Sequence, residues 1–116
     1  MALRTTLTTD VAEQSTPLLT GTFLDENGAA VQPDTALLTL YDEASRQVLN
    51  SREDVDIIAS VTAGALSWRL TALDTVMRQT GAHHEWHVIR IDWTWGASLA
   101  NSHKIRHRIV NFALIT

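Results

Sequence analysis

The segment 83–116 constrains the fold more than any other part of this chain, because it alternates side chains over two stretches of strand length joined by a small polar loop at 96–101. Side chains on a strand point alternately to its two faces. One face of the first stretch therefore carries Glu85, His87, Ile89, Ile91, Trp93 and Trp95, and one face of the second carries Ile105, His107 and Ile109. The pattern predicts a long antiparallel hairpin.

Register in such a hairpin is expected to pair the apolar faces, which places Ile89, Ile91 and Trp93 beside Ile105 and Ile109 on the core side. The same register puts Asp92 across from Arg106 or Arg108 on the outer side. It also leaves His87 and His107 about four positions out of step, on the order of 13 Å apart.

All five histidines lie in this segment, so a metal site is the first hypothesis to test. Zinc holds its ligands at ~2.0–2.1 Å, and the predicted register separates His87 from His107 far beyond that reach. His84-Glu85-Trp86-His87 also lacks the helical spacing of a zinc-protease motif. The sequence therefore predicts no metal site, with His107 half-buried and satisfied by a neighbour.

The rest of the chain predicts further short strands and one short helix. A capping pattern at Thr71 and Asp74 predicts a crossover helix near 72–78, and Asn27-Gly28 and Ala63-Gly64 are turn signals. In the cleanest alternation, Leu66, Trp68 and Leu70 point inward. The remaining strands are expected at 18–25, 35–42, 47–50, 57–62 and 65–71. About seven strands spaced by roughly 8–12 residues are typical of an all-β, immunoglobulin-like antiparallel β-sandwich.

The domain organisation predicted is one β-sandwich domain over 15–116, preceded by a flexible, threonine-rich N-terminal arm over 1–14. The arm is either a frayed terminus or a segment that orders only against a neighbouring subunit.

Composition excludes several classes of function. The chain has 116 residues, no cysteine and a formal net charge of -4, which exclude thiol chemistry and argue against nucleic-acid binding. It has no apolar run long enough to span a membrane and no stretch of signal-peptide length near its start. It contains no nucleophile elbow, phosphate loop or defined carboxylate pair. We therefore expect no enzyme activity and no cofactor.

Candidate interface residues remain. Lys104, Arg106 and Arg108 form a one-sided basic stripe, which is either a solvated face with cross-strand ion pairs or a docking surface for an acidic protein. Trp95 is either a core residue or an exposed anchor beside the loop that carries Leu99. Arg4 is the basic residue of the N-terminal arm. The predicted protein interface comprises Lys104, Arg106, Arg108, Trp95, Leu99 and Arg4.

The order of several short motifs is also informative. They are Thr20-Gly21-Thr22, Asp25-Glu26-Asn27-Gly28, Leu38-Thr39-Leu40-Tyr41-Asp42, Val48-Leu49-Asn50-Ser51-Arg52, Gly64-Ala65-Leu66-Ser67-Trp68, Leu73-Asp74, His87, Trp93-Thr94-Trp95 and the stretch 106–111. Over about residues 17–116 this series resembles small β-sandwich structural proteins of tailed bacteriophages and prophages. No functional residue of that group maps onto a position here.

The resemblance implies a non-enzymatic virion protein, assembled in the bacterial host cytoplasm, whose partners are the major capsid protein or neck and tail proteins. It implies a homo-oligomer or symmetric array, with no nucleic acid or membrane partner. Capsid decoration, as a cement protein, is the leading function, and a head–tail connector or tail/baseplate module is the alternative. A carbohydrate-binding module is an alternative from a different class, because exposed tryptophans of a sandwich can stack on sugar rings. It predicts an exposed Trp95, either alone or with a coplanar, exposed Trp86.

Overall fold

A computed structural model describes residues 2–78, 82–96 and 99–111 of the chain. Within these ranges the chain forms nine strands and two short 3₁₀-helices, Ile58–Ser60 and Ala72–Thr75. The strands are β1 (Ala2–Thr6), β2 (Asp10–Ala12), β3 (Leu18–Leu24), β4 (Thr35–Asp42), β5 (Val55–Asp56), β6 (Val61–Thr62), β7 (Ala65–Arg69), β8 (His84–Trp95) and β9 (Leu99–Val110).

The strands form two sheets, and the predicted all-β sandwich is confirmed. One sheet has the order β1-β3-β7-β6 and the other the order β2-β9-β8-β4-β5. Every pairing is antiparallel except that of β2 with β9, which is parallel. β1 therefore lies at an edge of the first sheet and β2 at an edge of the second.

A single large apolar cluster joins the two sheets. Phe23 of β3 meets Trp93 of β8 edge-to-face, with ring centroids 5.4 Å apart. Both side chains are almost completely buried, as are Leu19, Leu38, Leu40, Leu66, Ile89 and Ile91. Burying one such side chain contributes about 1.5–3 kcal/mol, so this layer between the sheets is the main source of stability. The alternation predicted for β8 is confirmed by the burial of Ile89, Ile91 and Trp93.

The β8–β9 register differs from the predicted one by about four residues. Ile89 does pair with Ile105, but Asp92 lies opposite Ser102, and His87 lies directly opposite His107. The predictions that Asp92 faces an arginine and that the histidines are out of step are therefore wrong. The cause is the loop: Trp95 already pairs with Leu99, so the second strand begins earlier than the polar loop 96–101 suggested.

Residues 2–12 are part of the sandwich, which differs from the flexible arm expected over 1–14. β1 pairs with β3, and β2 pairs with the end of β9. Leu3 and Val11 are buried, and Leu7 packs on the core. Threonine favours strands, so a threonine-rich segment with an apolar residue every fourth position can join a sheet.

The crossover between β7 and β8 is a 3₁₀-helix over Ala72–Thr75 rather than the longer helix expected near 72–78. The predicted capping box is present, and the Thr71 backbone N–H donates to Asp74 Oδ2 at 2.7 Å. Val76 is already extended. Thr75 and Val76 are β-branched, and Thr75 is buried with its hydroxyl bonded to the Ser15 carbonyl, which ends the helix early.

Two strands predicted in the middle of the chain are shorter than expected. Residues 47–50 make only an isolated bridge between Val48 and Tyr41. The segment 57–62 is a 3₁₀-helix followed by the two-residue β6. The hairpin about Ala63-Gly64 is confirmed, and both residues have positive φ, as a tight hairpin turn requires.

Candidate functional site

One long edge of the five-stranded sheet is open. β8 pairs with β9 along its whole length, whereas β2 covers only Arg108–Val110 on the other side. Across residues 2–78, 82–96 and 99–111, no strand pairs with that outer edge between Leu99 and His107. An edge of this kind is a template for a strand of another protein.

The backbone hydrogen bonds of β9 show which residues face the open edge. The Arg108 N–H donates to the Thr9 carbonyl at 2.6 Å, and the Val110 carbonyl accepts from the Glu13 N–H at 3.0 Å. Successive residues of a strand direct their backbone groups to opposite edges. Lys104 and Arg106 lie four and two residues before Arg108, so their N–H and C=O groups point to the same side of β9, which is the open edge.

The predicted basic stripe lies on the outer face of this sheet, but two of its cations are engaged within the chain. Arg106 makes a bidentate ion pair with Glu43 and lies over the Trp86 ring, with its guanidinium carbon 3.6 Å from the ring centroid. Arg108 pairs with Asp10 through two hydrogen bonds of 2.8 and 2.9 Å.

These hydrogen bonds lower the pKa of the Asp10 and Glu43 carboxyl groups, and donation to Asp10 raises the pKa of Arg108. Lys104 is exposed and has no ion-pair partner in the described part of the chain.

Beside the edge, the outer face has an apolar floor with a basic rim. Tyr41 and Val88 are largely buried although they face away from the core. Two adjoining shallow depressions share Tyr41, Arg46 and Lys104 as lining residues. Sequence reasoning missed Tyr41 and Arg46 as lining residues of this surface. The segment 43–54 was interpreted only as a hairpin followed by a polar connection, and its packing against the outer face of the sheet was not predicted.

The other predicted interface residues lie elsewhere. Arg4 is exposed on β1, at the edge of the opposite sheet. Trp95 is half-buried against the core and lines a separate depression with Asp25, Asn27 and Val31. Leu99 pairs with Trp95 at the start of β9. The six predicted residues do not form one patch.

Trp86 and Trp95, the tryptophans named for the carbohydrate-binding alternative, do not form a single platform. Trp86 and Trp95 lie near opposite ends of β8, roughly 30 Å apart at ~3.3 Å per residue. Their positions have opposite parity, so they point to opposite faces of the sheet. Trp86 is also covered by Arg106.

A buried polar cluster, which sequence reasoning missed, lies at the end of the sheet where β4 ends and β8 begins. Asp42, Glu85 and His87 are 4%, 6% and 0% exposed, and each offers one ligand-type atom within 4.8 Å of the others. His87 Nε2 and Glu85 Oε2 form a hydrogen bond of 2.5 Å. The cluster went unrecognised because Asp42 comes from β4 and Glu85 and His87 come from β8, and the sequence did not predict how these two strands pair.

Charges around the cluster are partly compensated. Burial alone would raise the pKa of Asp42, but the hydroxyl and N–H of Ser45, with His87 and Arg78 nearby, outweigh it and lower that pKa. The Arg78 guanidinium lies 3.6 Å from Asp42 Oδ2, and the Arg78 backbone N–H donates to both oxygens of Glu85.

His107 packs edge-to-face against His87, with ring centroids 5.9 Å apart. It is 0% exposed, and neither ring nitrogen has a hydrogen-bond partner among the residues that the structure describes. Burial, reinforced by His87 and opposed weakly by the backbone of Ile105, lowers the pKa of His107 to about 4. The prediction of a half-buried histidine satisfied by a neighbour is wrong.

Comparison with known proteins finds no family model, no curated protein and no solved structure that matches this chain. Among the residues with described structure, no helix has the length and apolar character needed to cross a membrane.

Proposed function

We propose that this chain is a non-enzymatic structural protein of a tailed-phage virion that decorates the capsid by docking through the open edge of β9. The observation that carries the proposal is that edge, which runs from Leu99 to His107 without a paired strand in the described chain. Backbone groups presented in a row bind an extended segment of a partner by β-strand addition.

The strand order supports an immunoglobulin-like type of sandwich. In that type, strands A, B, E and D form one sheet and C, F and G form the other, with extra strands added to the second. The order β1-β3-β7-β6 corresponds to A-B-E-D, and β9-β8-β4 corresponds to G-F-C, flanked by β2 and β5. The motif series of 17–116 adds the likeness to phage structural proteins.

The side chains near the edge favour an acidic partner segment. Lys104 is exposed beside the depressions that Arg46 also lines, whereas the charge of Arg106 is already paired with Glu43. Complementary charge mainly sets the association rate and the register, while the backbone bonds supply affinity. A virion repeats each contact many times, so a modest affinity per copy suffices for stable decoration.

Sedimentation with purified particles tests this proposal. Purified protein is mixed separately with empty heads and isolated tails of the phage whose genome encodes it, and bound protein is measured after pelleting. Saturable binding to heads supports decoration, and binding only to necks or tails supports the connector or baseplate alternative. Binding to neither contradicts a virion role.

A matched pair of variants at position 104 tests the edge itself. Lys104→Pro removes one N–H that faces the open edge, and proline is tolerated on edge strands, so the fold is retained. Lys104→Gln removes the charge and keeps the N–H. We expect the proline variant to bind at least about 30-fold more weakly and the glutamine variant only a few-fold more weakly. Equal binding by the wild type and the proline variant would refute docking through β9.

A further inference from the structure

The geometry points to a zinc-binding site formed by Asp42, Glu85 and His87, independent of the proposed virion role. Asp42 is the last residue of β4, and Glu85 and His87 lie on the core-facing side at the start of β8. Their ligand-type atoms lie within 4.8 Å of one another, so small side-chain adjustments would bring all three onto one ion. We infer that zinc ties β4 to β8 at this end of the sheet.

The donor set fits zinc better than a harder ion. Imidazole nitrogen with carboxylate oxygen suits zinc, whereas magnesium and calcium prefer oxygen alone. Three protein ligands with water in the fourth position are a common zinc arrangement. All three side chains are more than nine-tenths buried, so little bulk water competes for the ligand atoms.

Electrostatics at the cluster favour a further cation. Asp42 and Glu85 are two carboxyl groups withdrawn from solvent side by side, and the Arg78 guanidinium near Asp42 is itself 37% exposed. Buried charges are stable only when paired or bound to a metal ion. A divalent ion between the carboxylates would neutralise both.

His87 Nε2 is the ring nitrogen that faces the carboxylates, because it is hydrogen-bonded to Glu85 Oε2, and a zinc ion at the cluster would replace that hydrogen bond. A surface depression lined by Asp42, Glu43, Ala44, His84, Glu85 and Trp86 gives an ion a route to the two carboxylates.

Calorimetric titration of the EDTA-treated protein with zinc chloride tests the inference. We expect one zinc per chain, and a rise in Tm of about 5–15 °C at a hundredfold excess of zinc over Kd. His87→Gln should weaken binding at least about 100-fold. The matched control is His83→Asn, which alters a neighbouring exposed histidine and should leave Kd within about twofold.

Two measurements on the wild-type protein do not depend on whether the variants fold: the visible absorption spectrum of bound cobalt, and NMR of the imidazole nitrogens. Bound cobalt should give visible absorption bands of a low-coordinate nitrogen and oxygen site, and zinc should shift the His87 ring nitrogen signals. Asp42→Asn, on the other strand, should also weaken binding. Absence of saturable binding, loss of binding in His83→Asn, or unchanged His87 signals at saturating zinc would each overturn the proposal.

Discussion

His107 predicts a marked acid sensitivity of the metal-free protein. The side chain is fully buried, and the titratable group packed against it is His87 of β8, whose ring bonds to Glu85. The pKa of His107 is about 4 in the folded chain against an ordinary value of 6.5. Unfolded chains therefore bind more protons than folded ones between these values, and stability falls as the pH falls through this window.

The magnitude follows from the separation of the two pKa values. At ~1.36 kcal/mol per pH unit, a separation of about 2.5 corresponds to a total loss of about 3 kcal/mol below pH 4. Between pH 7.5 and 4.5 the loss is about 2.5 kcal/mol. The carboxyl groups with lowered pKa, Asp42 and Asp74 among them, lose their stabilisation only at still lower pH.

His107→Leu isolates this effect, because it removes the titrating ring while keeping an apolar side chain of similar size. Urea unfolding of both proteins with EDTA, at pH 7.5, 6.5, 5.5 and 4.5, measures the difference in the free energy of unfolding. At neutral pH we expect the variant to be about 1–3 kcal/mol more stable, since the unpartnered ring nitrogens are gone. The difference should then grow by about 2.5 kcal/mol at pH 4.5. A difference that does not change with pH would refute the view that His107 is held neutral by burial.

Two further predictions concern the connections between strands. Gly64→Ala should destabilise the fold by about 2–4 kcal/mol, since φ is +85° and a Cβ would lie 2.8 Å from the Val31 carbonyl oxygen. Gly28→Ala, at a similar φ but with no atom within 4 Å of the added Cβ, should lower the free energy of unfolding by only about 1–2 kcal/mol in the same urea assay. Equal destabilisation by the two variants would contradict the importance of the contact between residue 64 and Val31. Asp74→Asn should lower the free energy of unfolding by about 2–4 kcal/mol, measured by thermal or urea unfolding. The reason is that the buried Asp74 carboxylate accepts hydrogen bonds from Asn50, Arg52 and Thr71. A decrease below about 1 kcal/mol would show that these hydrogen bonds are dispensable.

Alternation along the chain was sufficient to predict which side chains form the core. Ile89, Ile91 and Trp93 are buried as period-two spacing predicts, and Lys104 lies on the outer face. The register was not predictable from the same pattern. Shifting β9 by four residues preserves every face, so only the length of the loop after Trp95 distinguishes the two pairings.

The candidate sites were less accessible to sequence reasoning, because they depend on distant parts of the chain. Arg108 is neutralised by Asp10 and Arg106 by Glu43, in each case a residue far away in sequence. The basic stripe therefore looked freer than it is. The cluster of Asp42, Glu85 and His87 likewise depends on the pairing of β4 with β8, and Asp42 pairs directly with His87 in that register.

The parallel contact between β2 and β9 has a mechanical consequence. Its three residue pairs join Asp10–Ala12 to Arg108–Val110. In a parallel pair, the N-terminal end of one strand and the C-terminal end of the other lie at opposite ends of the contact. Tension that pulls β2 backwards by its start and β9 forwards by its end loads these hydrogen bonds in shear, all at once rather than one after another. These three residue pairs, together with the Asp10–Arg108 ion pair, must rupture before β2 can separate from the end of β9.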